Sequence, residues 1–261
     1  MKVLFLTAIM LNTLWSQPHV ENAVAKSNHH SELAIVIDDF GNNMGGTEEM
    51  LQLPVPLTIA IMPFLPTTKE DAKSAHKQGH EVIVHIPMEP LRGKASWLGP
   101  GAITTDLSDK EIRKRISSAI DDVPYAVGMN HHMGSKVTAD ERIMRIVLNI
   151  CRERGLYYFD SKTTDKSVIP KLANEIGVPY LENELFFDDI YTISHMNKKA
   201  RELERLLDDD ENHIAIGHVG IAGKKMVQVL NEYIPIYQSD ATIVPLSELI
   251  PSFDMIDKQV P

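Results

Sequence analysis

The sequence contains only one cysteine, Cys151, among its 261 residues. A single thiol excludes an internal disulfide framework and a zinc site built from cysteine ligands. Lys and Arg form no cluster along the chain, and the formal net charge is −10 at pH 7. Because binding to nucleic acid depends on neutralising phosphates with basic side chains, we expect no nucleic-acid partner. Any metal must then be held by His, Asp or Glu.

The chain also lacks an apolar run long enough to cross a bilayer, which takes about 20 residues. The longest run, residues 3–15, follows Lys2 and is interrupted by three polar residues, and the small-residue motif Ala-Val-Ala comes at 23–25. This order predicts a secretory signal peptide over residues 1–25 and a secreted or extracytoplasmic protein. After cleavage the mature protein would have no membrane span. An uncleaved membrane tether is the alternative.

Beyond this segment, we predict a linker over residues 26–32, one folded domain over 33–250 and a C-terminal tail over 251–261. Within the domain, short apolar runs alternate with amphipathic segments. The runs are mostly continuous in hydrophobicity, which is typical of strands buried on both faces of a parallel sheet. They lie at 33–37, 57–62, 82–84, 125–129, 156–159, 178–181, 214–217 and 242–244.

About seven or eight such alternations predict an α/β fold, a complete or distorted (β/α) barrel, rather than an open doubly wound sheet. No glycine-rich phosphate-binding loop follows the first apolar run, so nothing indicates a nucleotide.

Helix boundaries are marked by short capping motifs. Ser108 with Glu111, and Thr138 with Glu141, each have the spacing of a capping box at a helix N-terminus. Two more helices are predicted at about 196–207 and 223–233 from their apolar periodicity. Glycines follow helical stretches where a left-handed residue is favoured, at Gly79, Gly155 and Gly177.

Carboxylate or imidazole side chains follow five of the predicted strands. In a barrel of parallel strands the carboxyl ends share one mouth, so we expect these side chains to lie close together. Each has an ordinary alternative, because an Asp after a strand often caps the next helix and a lone His is often structural. The carboxylate and imidazole residues are Asp38, Asp39, His85, His131, His132, Asp160 and His218, and the amide of Asn130 directly precedes His131.

Taken together, these side chains favour a bound cation. Two adjacent carboxylates beside imidazoles are destabilised by repulsion and desolvation unless a positive ion offsets them. Oxygen and nitrogen ligands without thiolates suit zinc and several other first-row divalent ions. His85 and Glu89 also lie four residues apart, but Pro87 and Pro90 argue against a helix there.

The sequence contains five motifs in order, 35–41 (IVIDDFG), 79–90 (GHEVIVHIPMEP), 130–135 (NHHMGS), 159–164 (FDSKTT) and 215–218 (AIGH). Together these motifs resemble the divergent polysaccharide deacetylases, a distant branch of the NodB-like carbohydrate esterases. The resemblance covers about residues 31–250 and implies a distorted (β/α)7 barrel. It also implies metal-dependent removal of N-acetyl groups from an amino-sugar polymer of the cell envelope, with zinc as the expected metal and the carbohydrate polymer as partner.

The resemblance also implies roles for residues of these motifs. Asp38 matches the catalytic base, Asp39 a metal ligand and His85 the first of two His ligands four residues apart. Glu89 stands where the second His is expected, so either Glu89 or His132 would complete the metal shell. We favour His132, which leaves Glu89 free to contact substrate or support the ligands.

His218 is implied by the resemblance, and two further residues are candidates beside it. His218 matches the catalytic acid, and Asp160 would orient His218 or bind a sugar hydroxyl. Trp97 lies in a loop where it would stack on a sugar ring or pack against the barrel. The Arg-containing loop that orients the base in the wider group is not recognisable, and Asn130-His131-His132 stands where it would lie.

Two other functions stay open on the sequence. One is a catalytically silent glycan-binding or envelope-organising protein on the same barrel, which Glu89 and the missing Arg loop favour. The other is a phosphodiesterase, for which Lys136 and Lys162 are the candidate cations at the mouth. The oligomeric state is left open.

Overall fold

The computed structural model describes residues 31–209 and 211–250, so the predicted signal peptide and C-terminal tail lie outside the described residues. The strands are β1 Ser31–Phe40, β2 Thr58–Ile61, β3 Glu81–Met88, β4 Ala126–Met133, β5 Tyr157–Asp160, β6 Tyr180–Glu182, β7 Leu185–Phe186, β8 His213–His218 and β9 Ala241–Ile243. The helices are α1 Thr47–Leu51, α2 Thr68–Lys77, α3 Asp109–Asp122, α4 Glu141–Glu153, α5 Ile169–Ile176, α6 Ile193–Leu206 and α7 Gly223–Asp240.

The strands form one curled parallel sheet. Their order is β6-β5-β4-β3-β2-β1-β8-β7, and β9 pairs with the start of β1. Every pairing is parallel, because helices return the chain to the same edge between most successive strands. Among the described residues no ladder joins the end strands β6 and β7. The predicted distorted (β/α) barrel is therefore confirmed, and the distortion is an open seam.

Both faces of the sheet are buried, as the continuous apolar runs predict. Along β1, Ala34 and Val36 belong to an inner cluster, whereas Leu33, Ile35 and Ile37 belong to the larger cluster beneath the helices. This alternation follows from the two-residue period of a strand. The inner cluster also holds Ile83, Tyr157, Phe159 and Ile216.

Several strand boundaries differ from the prediction. β1 begins at Ser31, within the predicted linker, and β3 and β4 run on to Met88 and Met133. The polar residues expected in loops after β1, β3, β4, β5 and β8 therefore lie within or at the ends of those strands. Parallel pairing continues through them because backbone hydrogen bonds do not depend on the side chain, as at His85 opposite Asn130. The sequence missed β7, which has only two residues.

One of the two predicted helix caps is wrong. Ser108 caps α3 as predicted, because its hydroxyl accepts a hydrogen bond from the Glu111 amide. Asp140, not Thr138, caps α4 and accepts from the Ile143 amide at 3.1 Å. The Thr138 hydroxyl instead donates to the Gly134 carbonyl, since residues 137–139 form a short 3-10 turn before the helix starts.

The three predicted helix-ending glycines are confirmed, with φ of 84° at Gly79, 65° at Gly155 and 79° at Gly177. No helix within residues 31–209 and 211–250 combines the length and apolar character needed to span a membrane.

Gly128 provides a test of inner-face packing. A Cβ atom at this position would overlap the Tyr157 ring. We expect Gly128→Ala to lower the free energy of unfolding by about 1–3 kcal/mol, the usual cost of overpacking a core. Urea denaturation would measure this change in the free energy of unfolding. The double variant Gly128→Ala/Tyr157→Leu should be destabilised by less than the sum of the two single substitutions. Strict additivity would contradict the proposed clash.

Candidate metal centre

A layer of polar side chains covers the inner cluster at the carboxyl ends of the strands. Asp38 and His218 continue the alternating inner positions of β1 and β8, and the two residues pair across those strands. His85 follows Ile83 on the inner face of β3. Asn130 reaches the same layer from β4, where it contacts both Asp38 and His85. Strand periodicity thus brings separate parts of the chain to one mouth.

Asp39 reaches this mouth by breaking the alternation. As the neighbour of Asp38 it would point to the outer face in a regular strand. Its φ is 72°, in the left-handed region, and the pairing of β1 with β2 is irregular between Ile37 and Phe40. Asp is among the residues that tolerate this conformation. The irregularity brings the Asp39 carboxylate beside His85 and His132.

Asp39, His85 and His132 form a group whose ligand atoms all lie within 4.8 Å of one another. Asp39 Oδ1 is 3.2 Å from His85 Nε2 and 2.9 Å from His132 Nδ1. Asp39 Oδ1 and His85 Nε2 are buried, yet neither has a hydrogen-bond partner in the part of the chain that the structure describes. Unpaired buried polar atoms are costly, and a shared cation would satisfy both. These three side chains fit a metal ion.

The two adjacent carboxylates are in different electrostatic environments. Burial would raise the pKa of Asp39, but the imidazoles of His132 and His85 hold it well below its ordinary value. Burial raises the pKa of Asp38, and the nearby His85 and His218 offset only part of this effect. Asp38 is only 2% exposed and accepts a hydrogen bond from Asn130 Nδ2 at 2.9 Å.

His218 is paired with Asp188, a residue that the sequence analysis missed. His218 Nδ1 lies 2.8 Å from Asp188 Oδ1, and the His218 amide donates to Asp188 Oδ2 at 3.0 Å. Burial alone would lower the pKa of His218, but Asp188, with smaller effects from Asp39 and Asp38, raises it to about 10. Asp188 comes two residues after β7. The only sequence signal is an acid after a run too short to be recognised as a strand.

Asp160 does not contact His218. Its carboxylate accepts hydrogen bonds from the Lys162 amide at 2.8 Å and the Ser167 hydroxyl at 2.5 Å, and the residue is fully buried. It shares the outer side of the sheet with His131, whose Nδ1 lies 3.2 Å from the Tyr158 hydroxyl. Burial, with the nearby His85 and His132, lowers the pKa of His131 to about 3. His131 and Asp160 therefore support the fold behind the mouth.

Glu89 is held by Thr105 of its own loop and by Lys136, which follows β4. Lys136 Nζ lies 2.6 Å from Glu89 Oε1, and the Thr105 amide and hydroxyl donate to Oε2 at 2.8 and 2.9 Å. The structure brings His132, and not Glu89, into the group with Asp39 and His85. Trp97 lies in the same long loop with 57% of its surface exposed.

The family model for divergent polysaccharide deacetylases matches residues 35–250. The uncharacterized protein YibQ of Escherichia coli strain K12 is 34% identical over 219 residues, which cover 84% of this chain and 67% of that protein. The chain belongs to the divergent polysaccharide deacetylase family.

Solved structures share the fold. The crystal structure of an uncharacterized protein, ATU2773 from Agrobacterium tumefaciens C58, is similar with a TM-score of 0.76 and 19% identity, covering 84% of this chain and 89% of that one. The Bc1960 peptidoglycan N-acetylglucosamine deacetylase is similar with a TM-score of 0.54 and 12% identity, covering 84% of this chain and 88% of that one. At these identities the likeness concerns the fold alone.

The contact between Asp188 and His218 predicts a change in titration. Asp188→Asn removes the adjacent negative charge, so the pKa of His218 should fall from about 10 toward 6.5 in the metal-free protein. A raised folded-state pKa stabilises the fold below pH 6.5, and this contribution is lost as the pH rises toward 10. The free energy of unfolding of the variant should therefore fall less than that of the wild-type protein between pH 6.5 and about 10. Histidine NMR titration and urea denaturation would measure both effects.

Asp189→Asn is the matched control, because Asp189 contacts His195 instead. An unchanged His218 pKa in Asp188→Asn, or an equal fall in the control, would contradict the assignment of Asp188.

Proposed function

We propose that the protein is a metal-dependent hydrolase that removes N-acetyl groups from an amino-sugar polymer of the cell envelope. The observation that carries the proposal is the convergence of Asp39, His85 and His132 beside two further ionisable side chains, Asp38 and His218. Membership of the deacetylase family supports the same chemistry.

Asp39, His85 and His132 would hold the metal. One oxygen and two nitrogen ligands with an open position are typical of catalytic zinc sites, so zinc is the metal we propose. When bound, such an ion polarises the acetyl carbonyl and makes a water molecule more acidic.

Asp38 would act as the general base. Asn130 occupies one of its oxygens, Oδ1, which leaves the other to take the proton of the attacking water. This assignment needs a carboxylate that is close to the metal ligands without being one of them. Asp38 meets that condition, because it is outside the group of three and its Oδ1 lies 3.7 Å from His85 Nδ1.

His218 would act as the general acid. Its contact with Asp188 favours the protonated imidazole, which can donate to the departing amine. Amines leave amides poorly unless they are protonated, so this donation completes the reaction. Asp188 would orient the ring and keep Nε2 available at the mouth.

The proposed substrate is a carbohydrate polymer outside the cytoplasm. The signal peptide predicted over residues 1–25 supports export, and the exposed ring of Trp97 supports stacking against a sugar. A catalytically silent glycan-binding protein is the second candidate. It is favoured by the neutral Asn130 next to Asp38, where the resemblance leads one to expect an Arg.

Metal content tests the proposed ligand set. Purified protein should carry about one divalent ion per chain, and His85→Ala or His132→Ala should remove it, because each deletes one of three ligands. Elemental analysis by mass spectrometry would measure the ion. Glu89→Ala is the control and should retain the metal. Loss of the metal in Glu89→Ala, with retention in His132→Ala, would contradict the assignment of His132 as the third ligand.

Acetate release tests the proposed base. In Asp38→Ala, release of acetate from N-acetylglucosamine oligomers should fall by about 10²- to 10⁴-fold while the metal stays bound. An enzymatic acetate assay would follow the reaction. If the wild-type protein binds metal but releases no acetate from any glycan tested, the silent glycan-binding function is the better description.

A further inference from the structure

Asn130 lies at the centre of the polar layer and has no role in the function proposed above beyond contacting Asp38. It is fully buried on β4 and pairs with His85 across the β3–β4 ladder. Its amide group contacts both halves of the site: Oδ1 is 2.7 Å from His85 Nδ1, and Nδ2 is 2.9 Å from Asp38 Oδ1.

The orientation of this amide follows from its neighbours. The acceptor on the Asp38 side is a carboxylate oxygen, so the Asn130 NH₂ group must face it and donate. The Asn130 carbonyl oxygen then faces His85, and it can only accept. His85 Nδ1 must therefore carry the proton in this contact.

Protonation at Nδ1 determines the chemistry of the other ring nitrogen. In a neutral imidazole with a proton on Nδ1, Nε2 has a free lone pair. His85 Nε2 is the atom that lies 3.2 Å from Asp39 Oδ1 and has no hydrogen-bond partner among the described residues. The Asn130 carbonyl thus selects the tautomer that can bind a metal.

The same amide separates the proposed base from the proposed ligand. Asp38 Oδ1 lies 3.7 Å from His85 Nδ1, so these groups would be the nearest alternative partners for each other without Asn130. A direct contact would draw the carboxylate toward the imidazole and away from the attacking water. The neutral amide satisfies both groups without adding charge.

We propose that Asn130 is a positioning residue with two separable effects. Its carbonyl fixes the tautomer and ring orientation of His85 for metal binding, and its NH₂ group orients Asp38 for proton transfer. This inference rests on the proposed metal-dependent hydrolysis. In this inference the neutral Asn130 side chain both orients the base, Asp38, and supports the metal ligand His85.

Two substitutions separate these effects. Asn130→Ala removes the hydrogen bonds to His85 and Asp38, together with a longer one to Ser161 at 3.3 Å. Zinc affinity should therefore fall by about 10- to 100-fold, as for other groups that support metal-bound histidines. Asn130→Asp keeps an oxygen acceptor for His85 but no longer offers an NH₂ donor to Asp38. It should keep zinc affinity within about threefold while acetate release falls by about 10- to 100-fold.

Zinc affinity would be measured by competition with a chelating dye, and kcat from acetate release, after circular dichroism confirms folding of each variant. Tyr158→Phe is the control. It removes a buried hydrogen bond to His131, the neighbour of Asn130, and should leave zinc affinity unchanged. If Asn130→Ala does not fold, the same-sized Asn130→Asp decides the question by its split between affinity and kcat.

The experiment distinguishes failure of the proposed function from failure of the inference about Asn130. Wild-type protein that binds no zinc would overturn the proposed function and this inference together. Wild-type protein that binds zinc, with unchanged affinity in Asn130→Ala, would overturn the inference alone. Equal losses of affinity in both Asn130 variants would also overturn it, because they would indicate only general structural support.

Discussion

The mouth of this barrel is organised around a close contact between Asp39 and His85 that a bound cation would stabilise. A carboxylate oxygen of Asp39 and a ring nitrogen of His85 face each other at 3.2 Å, buried and without hydrogen-bond partners among the described residues. The contact of His85 with Asn130 directs a lone pair toward the carboxylate. In the neutral ring these two atoms are both acceptors, and their contact is unfavourable in a low-dielectric environment unless a positive charge, on the ring or on a bound ion, offsets it. The rest of the polar layer is arranged around this pair.

Much of the fold could be predicted because each strand is buried on both sides. Continuous apolar runs alternating with capped helices identify parallel β/α units, and the parallel direction places all carboxyl ends together. The polar residues after these runs then indicate where the site lies. The sequence favours His132 over Glu89 as the third ligand, and the structure brings His132 to Asp39. Whether these residues bind metal and catalyse the reaction stays a prediction.

The features that the sequence did not predict depend on strand phase, strand pairing or local backbone geometry. Asp160 and His131 follow apolar runs like the others, but their phase along the strand turns them outward, where they bond Ser167 and Tyr158. Asp188 follows a two-residue strand that has no pattern of its own. Asp140 replaces Thr138 as a cap because a 3-10 turn shifts the helix start. Each depends on tertiary pairing or local geometry that single-sequence patterns do not contain.

The left-handed backbone at Asp39 limits what can replace this residue. At a φ of 72°, β-branched side chains clash with the preceding carbonyl, whereas Asn and Gly are accommodated. A mutational scan that measures only folding should therefore find that position 39 accepts a narrow set of residues. The reason would be the backbone conformation and not the chemistry of the site. Asn is then the natural replacement for an inert version of the protein, since it matches both the shape of the side chain and the curvature of the chain.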